Sequence, residues 1–198
     1  MSAIPPIVPL PDALPVLTGE RVRLRTLRED DAEVAAFFEI FSDPEVMRYW
    51  SGVPMTSLDQ AREKIRRTNG YLGEGVGLAW GIARISDDRV IGTANLFDFH
   101  AQNRHCEIGY ALGRTYWGQG LASEALTLAI GYAFEVMQLL RIEADIDPRN
   151  APSERILIRQ GFQVEGLLRE RWVVGEEISD ARLLGLLRRE WTGGPSRD

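Results

Sequence analysis

The stretch Tyr116–Ala125, YWGQGLASEA, decides how the rest of the sequence is interpreted. It places glycines at 118 and 120 directly before a run of small and apolar residues that favours a helix. Glycines let a ligand approach the main chain closely, and the first amides of a helix attract phosphate oxygens. A tight strand-to-helix turn with nothing bound would use the same residues, because short glycine patterns are weak evidence. No Lys-Ser or Lys-Thr follows the second glycine, so the loop is not a nucleotide P-loop.

The segments on either side of this loop predict a mixed sheet with helices. Alternating apolar residues predict strands at 20–27, 77–85, 89–97, 105–112, 141–146, 161–174 and 178–191. Helical spacing and capping residues predict helices at 30–41, 57–70, 121–139 and 150–160. The element order is therefore β-αα-βββ-α-β-α-ββ, which fits one α+β domain without internal repeats.

Domain boundaries follow from composition at the two ends. Prolines at 5, 6, 9, 11 and 15 predict an extended N-terminal arm over 1–17. The folded domain is expected over 18–192, and 193–198 form a short tail. A chain of 198 residues has the length of one ordinary domain.

The overall composition excludes several classes of protein. With 44% hydrophobic and 26% charged residues, the chain has the composition of a soluble globular protein, and no apolar run is long enough to cross a bilayer. The first residues lack the pattern of a signal peptide, so a cytoplasmic location without a membrane partner is expected. The net charge of −6 and the absence of a Lys/Arg run argue against nucleic acid and favour a cationic partner. The single cysteine, Cys106, excludes an internal disulfide and a cysteine-based zinc cluster.

The order of elements together with several motifs resembles the GNAT family of N-acetyltransferases. The resemblance runs from Arg21 to Trp191, and its motifs are LRTLREDDA, DPEVMRYW, CEIGYAL, the glycine loop, IEADIDPRNAPSERILIRQGF and SDARLLGLLRREW. Within the family the chain is most similar to the branch that acetylates the N-termini of ribosomal proteins. The resemblance implies the acyl-CoA N-acyltransferase fold, with a mostly antiparallel central sheet, splayed strands and flanking helices.

The resemblance also implies acetyl-CoA as co-substrate, with no metal. The family signature maps to residues 117–122, where Trp117 replaces the usual first residue, and its amides are expected to hold the pyrophosphate. The residues expected to contact the cofactor are Tyr110, Ala111, Leu112, Trp117, Gly118, Gln119, Gly120, Leu121, Ala122, Ser123, Asn150, Ser153 and Arg155. Arg155 and Arg159 are expected to reach the phosphate on the adenine side of the cofactor. Alternatively, both are charges on the solvent-exposed face of the helix. The pantetheine would lie along Tyr110–Leu112, which requires strand 141–146 to splay away.

Transfer of an acetyl group to an amine requires a base for the amine and a proton for the departing thiolate. Glu107 is a candidate base, because a carboxylate in the middle of a central strand is costly to bury without a role or a partner. Alternatively, Glu107 lies on a solvent-exposed face of the strand or forms a salt bridge with an arginine of a neighbouring strand. His105 is the second candidate, since an ordinary histidine titrates near neutral pH.

The candidate acid is Ser153. Many relatives carry a tyrosine seven residues after the motif asparagine, but Leu157 occupies that position here. The ribosomal-protein branch has a serine three residues after the asparagine, and this position is Ser153. Capping of the helix by this serine is the alternative interpretation.

The resemblance places the acceptor pocket near Tyr49, Trp50 and Trp172. Closure of the core beneath the first helices is the alternative for Tyr49 and Trp50. We therefore expect acetyl transfer, in a ternary complex, to an amine that is a protein or peptide N-terminus. A small amine such as a polyamine, an amino acid or an aminoglycoside is the second hypothesis, and a non-catalytic acyl-CoA-binding module is the third. Dimers occur among relatives, so a homodimer remains open.

Overall fold

In the computed structural model, which describes residues 9–194, eight strands form one open sheet flanked by helices. The strands are β1 (Leu17–Thr18), β2 (Val22–Arg25), β3 (Gly77–Arg84), β4 (Val90–His100), β5 (His105–Leu112), β6 (Arg141–Ile146), β7 (Gln163–Val174) and β8 (Glu177–Leu187). Their order in space is β1-β2-β3-β4-β5-β6-β8-β7. Only β5 and β6 pair in parallel among the described strands, so the expected mixed, mostly antiparallel sheet is confirmed.

The helices begin where the sequence supplies side-chain caps. They are α1 (Asp31–Phe41), α2 (Pro44–Met47), α3 (Leu58–Gly70), α4 (Leu121–Gly131) and α5 (Ala151–Arg159). The side chains of Asp30, Asp43, Ser57 and Asn150 each accept a hydrogen bond from an amide in the first turn of α1, α2, α3 and α5, respectively. Such caps satisfy amide groups that the helix itself leaves without a partner.

The sheet separates two hydrophobic clusters. The larger contains Trp80 and the buried face of α4, and the smaller contains Phe37 of α1 and Ile65 of α3. Side chains along β5 alternate between the two faces of the sheet, so this strand contributes to both clusters. Cys106 belongs to the larger cluster and Ala111 to the smaller. The middle of β5 is thus covered on both faces.

β5 and β6 separate after a short stretch of pairing. His105, Cys106 and Glu107 pair with 141–143, and β6 then continues in register with β8. The edge of β5 beyond Glu107 therefore has no partner from β6. This confirms the expected splay of strand 141–146, and it opens the sheet at its centre.

Several boundaries differ from the sequence predictions. The helix predicted over 121–139 is α-helical only to Gly131 and continues as a wider π-type turn over Tyr132–Val136, in which the amide of Met137 donates to the carbonyl of Tyr132. The strand predicted to reach Trp191 ends at Leu187 and is followed by a 3₁₀ turn at Arg188–Glu190. The DP motif that ends α1 also starts the unpredicted helix α2, because proline suits a first helical turn.

The described part of the proline-rich arm lies against the domain. Trp80 Nε1 donates to the carbonyl of Pro15 over 2.7 Å, and Leu10 and Leu14 pack against the larger cluster. Leu17, at the end of the arm, pairs with Leu24 in β1 and β2. The first two prolines, 5 and 6, and the tail residues 195–198 lie outside the described residues.

Candidate active site

The glycine loop leads from β5 into α4 through two left-handed residues. Gly118 has φ 72° and Gly120 has φ 75°, a conformation that side chains with a Cβ rarely adopt. Gly120 caps α4 without a side chain, so no side chain of the cap residue competes for the first amides of the helix. A Cβ built on Gly118 would meet nothing within 4 Å, which shows open space in front of the loop. These features fit a phosphate-bearing group such as that of acetyl-CoA.

Arg21 supports this loop from the start of β2, which sequence reasoning did not predict. Its Nη1 donates to the carbonyl of Gln119 over 2.8 Å, and its Nε donates to Glu124 Oε2 over 2.9 Å. Burial alone would raise the pKa of Glu124, but hydrogen bonds from the amides of Arg21 and Val22 and from the Arg21 guanidinium lower it. The loop is therefore fixed to the sheet by an ionised carboxylate in the first turn of α4.

Trp117 fixes the other end of the loop. Its indole Nε1 donates to the carbonyl of Leu112 over 2.6 Å, although about half of the residue is exposed. The carbonyl of Leu112, one of the expected pantetheine contacts, thus already has a partner within the chain. Leu121 and Ala122 are buried at the start of α4, and the hydroxyl of Ser123 accepts from Gln160 Nε2 of α5 over 2.9 Å.

A pocket of about 420 Å³ occupies the opening between β5 and β6. Its walls come from α2 and the segment after it, from α3 and the segment after it, from the strands β4, β5 and β6, from α5 with the residues just before it, and from the hairpin of β7 and β8. The predicted residues that line it are Tyr49, Trp50, Glu107, Tyr110, Asn150, Ser153 and Trp172. The structure thus brings both catalytic candidates and all three acceptor candidates to one pocket.

Glu107 is half-buried in this pocket. Burial raises the pKa of the Glu107 carboxyl, and the like charges of Asp98, Asp145 and Glu143 raise it further, whereas Arg171 opposes them. A carboxyl whose pKa is moved toward neutrality is a stronger base than an ordinary glutamate. Asp98 sits at an irregularity of β4 with φ 50°, and this irregularity turns its carboxylate into the pocket.

Ser153 is held from two sides. Its amide donates to Asn150 Oδ1 over 3.3 Å, the capping contact of α5, and its Oγ lies 2.9 Å from the phenol oxygen of Tyr110. The sequence analysis expected only backbone groups from Tyr110, so the phenol contact was missed. Leu157, at the position where relatives carry a tyrosine, is fully buried.

Aromatic side chains form the outer wall of the pocket. The guanidinium groups of Arg48 and Arg149 lie 5.3 and 5.8 Å from the centre of the Tyr49 ring. The Trp50 ring packs 6.2 Å from that of Phe41. Trp172 Nε1 donates to Asp145 Oδ1 over 3.0 Å, so this ring joins β7 to β6 past the intervening strand β8.

Other sequence candidates lie away from the pocket. The His105 ring stacks on His100 at 5.1 Å, and neither residue is among those that line the pocket. Arg155 and Arg159 are exposed on α5 and do not line it either. Geometry therefore favours Glu107 over His105 as the base.

The described residues provide neither a cluster suited to a metal ion nor a helix suited to cross a membrane. Within residues 9–194, no cluster of three or more histidine, cysteine, aspartate or glutamate side chains is arranged to hold a metal ion. Over the same part of the chain, no helix combines the length and apolarity that crossing a membrane requires.

Comparison with known proteins gives a consistent result. The model of the acetyltransferase (GNAT) domain matches residues 21–163. An uncharacterized N-acetyltransferase p20 from Bacillus licheniformis is 40% identical over 177 residues, covering 89% of this chain and 98% of that protein. The [ribosomal protein uS5]-alanine N-acetyltransferase of Escherichia coli is 32% identical over 131 residues, covering 64% and 66%. Mycobacterium smegmatis RimJ, solved in complex with CoA-disulfide, superposes with a TM-score of 0.76 at 25% identity, covering 85% of this chain and 83% of RimJ.

Together with the family match, the splayed sheet, the glycine loop at a helix start and the pocket between β5 and β6 define an acetyl-CoA-dependent N-acetyltransferase. The chain belongs to the GNAT acetyltransferase family, as the resemblance in its sequence indicates.

Proposed function

We propose that this enzyme acetylates the α-amine of a protein or peptide N-terminus by direct transfer within a ternary complex. The observation that carries the proposal is the meeting of Glu107 and Ser153 in one pocket whose outer wall is aromatic. The Escherichia coli relative named for alanine acetylation on a ribosomal protein supports the acceptor class. An extended peptide end could lie against Tyr49, Trp50 and Trp172, while its amine reaches Glu107.

In this proposal each polar group has one task. Acetyl-CoA supplies the activated acyl group, and the amides of the glycine loop and Asn150 position it. Glu107 takes a proton from the ammonium form of the acceptor, directly or through water, because its raised pKa suits a base. As the carbon–nitrogen bond forms and the carbon–sulfur bond breaks, the nitrogen loses a second proton, which ends on the departing thiolate. The Ser153 hydroxyl faces that sulfur and stabilises its charge until the proton arrives.

A small amine is the second candidate acceptor. A pocket of about 420 Å³ lies within the usual range for small ligands, and Asp98, Glu107 and Asp145 would attract a cation. A peptide also presents a single cationic amine to this pocket, so size and charge suit both classes. The acceptor assay has to separate them.

The experiment measures CoA release from acetyl-CoA with a thiol reagent. Peptides with free N-termini are compared with the same peptides carrying a blocked α-amine, and with a polyamine and an aminoglycoside. Release with free peptides only is the expected result, and Glu107→Gln should abolish most of it. Glu165→Gln is the matched control, since Glu165 pairs with Arg141 outside the pocket. Release with the small amines alone would overturn the proposed acceptor class. If none of the peptides or small amines accelerated CoA release, acetyl transfer to amines of either class would be contradicted.

A further inference from the structure

We infer that Tyr110 is a positioning residue that aims the Ser153 hydroxyl at the sulfur of CoA. The inference rests on the proposed function, because it takes the sulfur to lie at Ser153. It assigns to the side chain of Tyr110 a role in the reaction besides the backbone contacts expected there.

The contact spans the opening of the sheet. Tyr110 lies on the free edge of β5, and Ser153 lies in the first turn of α5, 43 residues later in the chain. The phenol oxygen is 2.9 Å from Ser153 Oγ and 3.4 Å from the Ser153 carbonyl oxygen. The shorter distance makes the serine hydroxyl the principal partner.

The phenol can donate this hydrogen bond, because its surroundings keep it protonated. Burial raises the pKa of Tyr110 to about 12, so the phenol keeps its proton at neutral pH. When the phenol donates, Ser153 Oγ accepts, and the serine hydrogen is left to point into the pocket. Asn150 Oδ1 holds the Ser153 amide at the same time, which fixes the backbone of the serine.

Helix α5 has no tyrosine of its own that could contact Ser153. Relatives with a tyrosine on this helix place a phenol where Leu157 is found here, and Leu157 is 0% exposed in the core. The phenol that reaches the first turn of α5 comes instead from the neighbouring strand. Two hydroxyl groups in series then face the leaving group, and such chains polarise one another in a buried site.

The test uses binding, which does not depend on the acceptor. CoA and desulfo-CoA, which lacks the thiol, are titrated into the full chain by calorimetry at pH 7 and pH 9. The wild-type protein should prefer CoA, and more strongly at pH 9, since an ordinary thiol ionises near about pH 8.5. Ser153→Ala should reduce the preference at pH 9 by about tenfold, as expected for one lost hydrogen bond to a charged group. Tyr110→Phe should reduce it by roughly three- to tenfold, and the double variant should match Ser153→Ala alone.

Tyr132→Phe is the matched control. Tyr132 is a packed tyrosine at the end of α4 that stacks edge-on with Trp80 and does not line the pocket. The Tyr132→Phe variant should bind CoA and desulfo-CoA with the same affinities as the wild-type protein. With an active amine, Tyr110→Phe should lower kcat and leave the KM for acetyl-CoA unchanged.

Three results would overturn the inference: a wild-type protein that does not distinguish CoA from desulfo-CoA, an equal loss of both affinities in Tyr110→Phe, or additive losses in the double variant. Failure of the proposed function gives a different pattern. The preference for CoA and its loss in Tyr110→Phe would then persist, while no free N-terminal amine would accelerate CoA release.

Discussion

At the scale of single residues, three glutamates of this chain show how surroundings set the chemistry of one side chain. Glu33 is buried but accepts two hydrogen bonds from the Arg25 guanidinium, so it is committed to structure. Glu124 holds the glycine loop through Arg21, and its pKa is lowered. Glu107 faces like charges in a pocket, and its pKa is raised. Only the third environment prepares a carboxylate to accept a proton near neutral pH.

The pH dependence of the reaction should report Glu107. Because the carboxylate form is the base, kcat/KM should rise with pH through a pKa above the ordinary glutamate value. Glu107→Gln should lose this acid limb and reduce kcat by about 10²- to 10⁴-fold. The measurement is the pH–rate profile of both proteins with the same amine, whose own ionisation affects the two profiles equally.

Asp98→Asn provides the control for this assignment. Removal of a like charge beside Glu107 should lower its pKa and move the acid limb toward lower pH without removing it. An acid limb that stays in place in both variants would assign the base to another group.

The candidates that the structure brings to one pocket are those named from local motifs and from the family resemblance that these motifs carry. Glu107 lies mid-strand, and Asn150 and Ser153 lie at the start of α5, so short segments of sequence were sufficient to propose them. Arg21 and the phenol of Tyr110 were missed because their partners are 98 and 43 residues distant. The sequence signal that could have pointed to Arg21 is Glu124, because an acidic residue four positions after Gly120 can pair with an arginine beside the loop.

At the scale of elements, the glycine loop should depend on its left-handed residues. Gly118→Ala places a Cβ at φ 72°, which costs about 1–2 kcal/mol of folding free energy or shifts the loop. Because the space in front of Gly118 is open, a loss of acetyl-CoA affinity would come from the altered backbone or from the methyl group entering the binding space. We expect weaker acetyl-CoA binding by calorimetry and a modest loss of stability.

Gly166→Ala is the control for the glycine loop. Gly166 lies in β7 without a positive φ, and a Cβ there also meets nothing within 4 Å. This variant should keep both affinity and stability. Unchanged acetyl-CoA affinity in Gly118→Ala would contradict the assignment of the loop to the cofactor.

The junction of β2 and α1 depends on a buried ion pair. Arg25 and Glu33 have side chains that are only 10% and 2% exposed, and Arg25 also contacts Asp88 in the turn between β3 and β4. Glu33→Gln should destabilise the fold by about 3–5 kcal/mol, because it removes the buried charge partner of Arg25 and leaves the guanidinium paired with the more exposed Asp88. Urea unfolding of the variant measures this loss.

Glu39→Gln is the matched control for that loss, since Glu39 pairs with Arg89 on the surface. It should cost less than about 1 kcal/mol. Equal small losses in the two variants would show that burial does not strengthen the pair at Glu33.

Helices and long strands were predictable because their apolar spacing repeats over many residues. The splay of β6 was expected only from the family resemblance, and pairing between β5, β6 and β8 decides it. The π-type turn after Gly131 was not predictable, because the apolar spacing continues through it while the backbone widens. The strand β1 has only two residues, too few to show any alternation.

At the scale of the whole molecule, the two hydrophobic clusters pack against the centre of the sheet, and the separation of β5 from β6 leaves an opening there. β5 is the strand they share, and its first residues pair with β6 while its later residues line the pocket. The candidate catalytic side chains on this strand are therefore supported by buried neighbours from both clusters. Local opening of β5 should require opening of the whole domain.

Cys106, the single cysteine, tests this directly. It lies in β5 with 0% exposure, and burial followed by the nearby Glu107 and Glu143 charges raises the pKa of its thiol. The thiol should therefore react with an aromatic disulfide reagent only through global unfolding. The free energy obtained from labelling rates at increasing urea should equal that from circular dichroism. Ser86→Cys, in the exposed turn after β3, should label at once at its new thiol and leave Cys106 protected. Rapid labelling of Cys106 in the native protein would show instead that β5 opens locally, and that the pocket is built on a mobile strand.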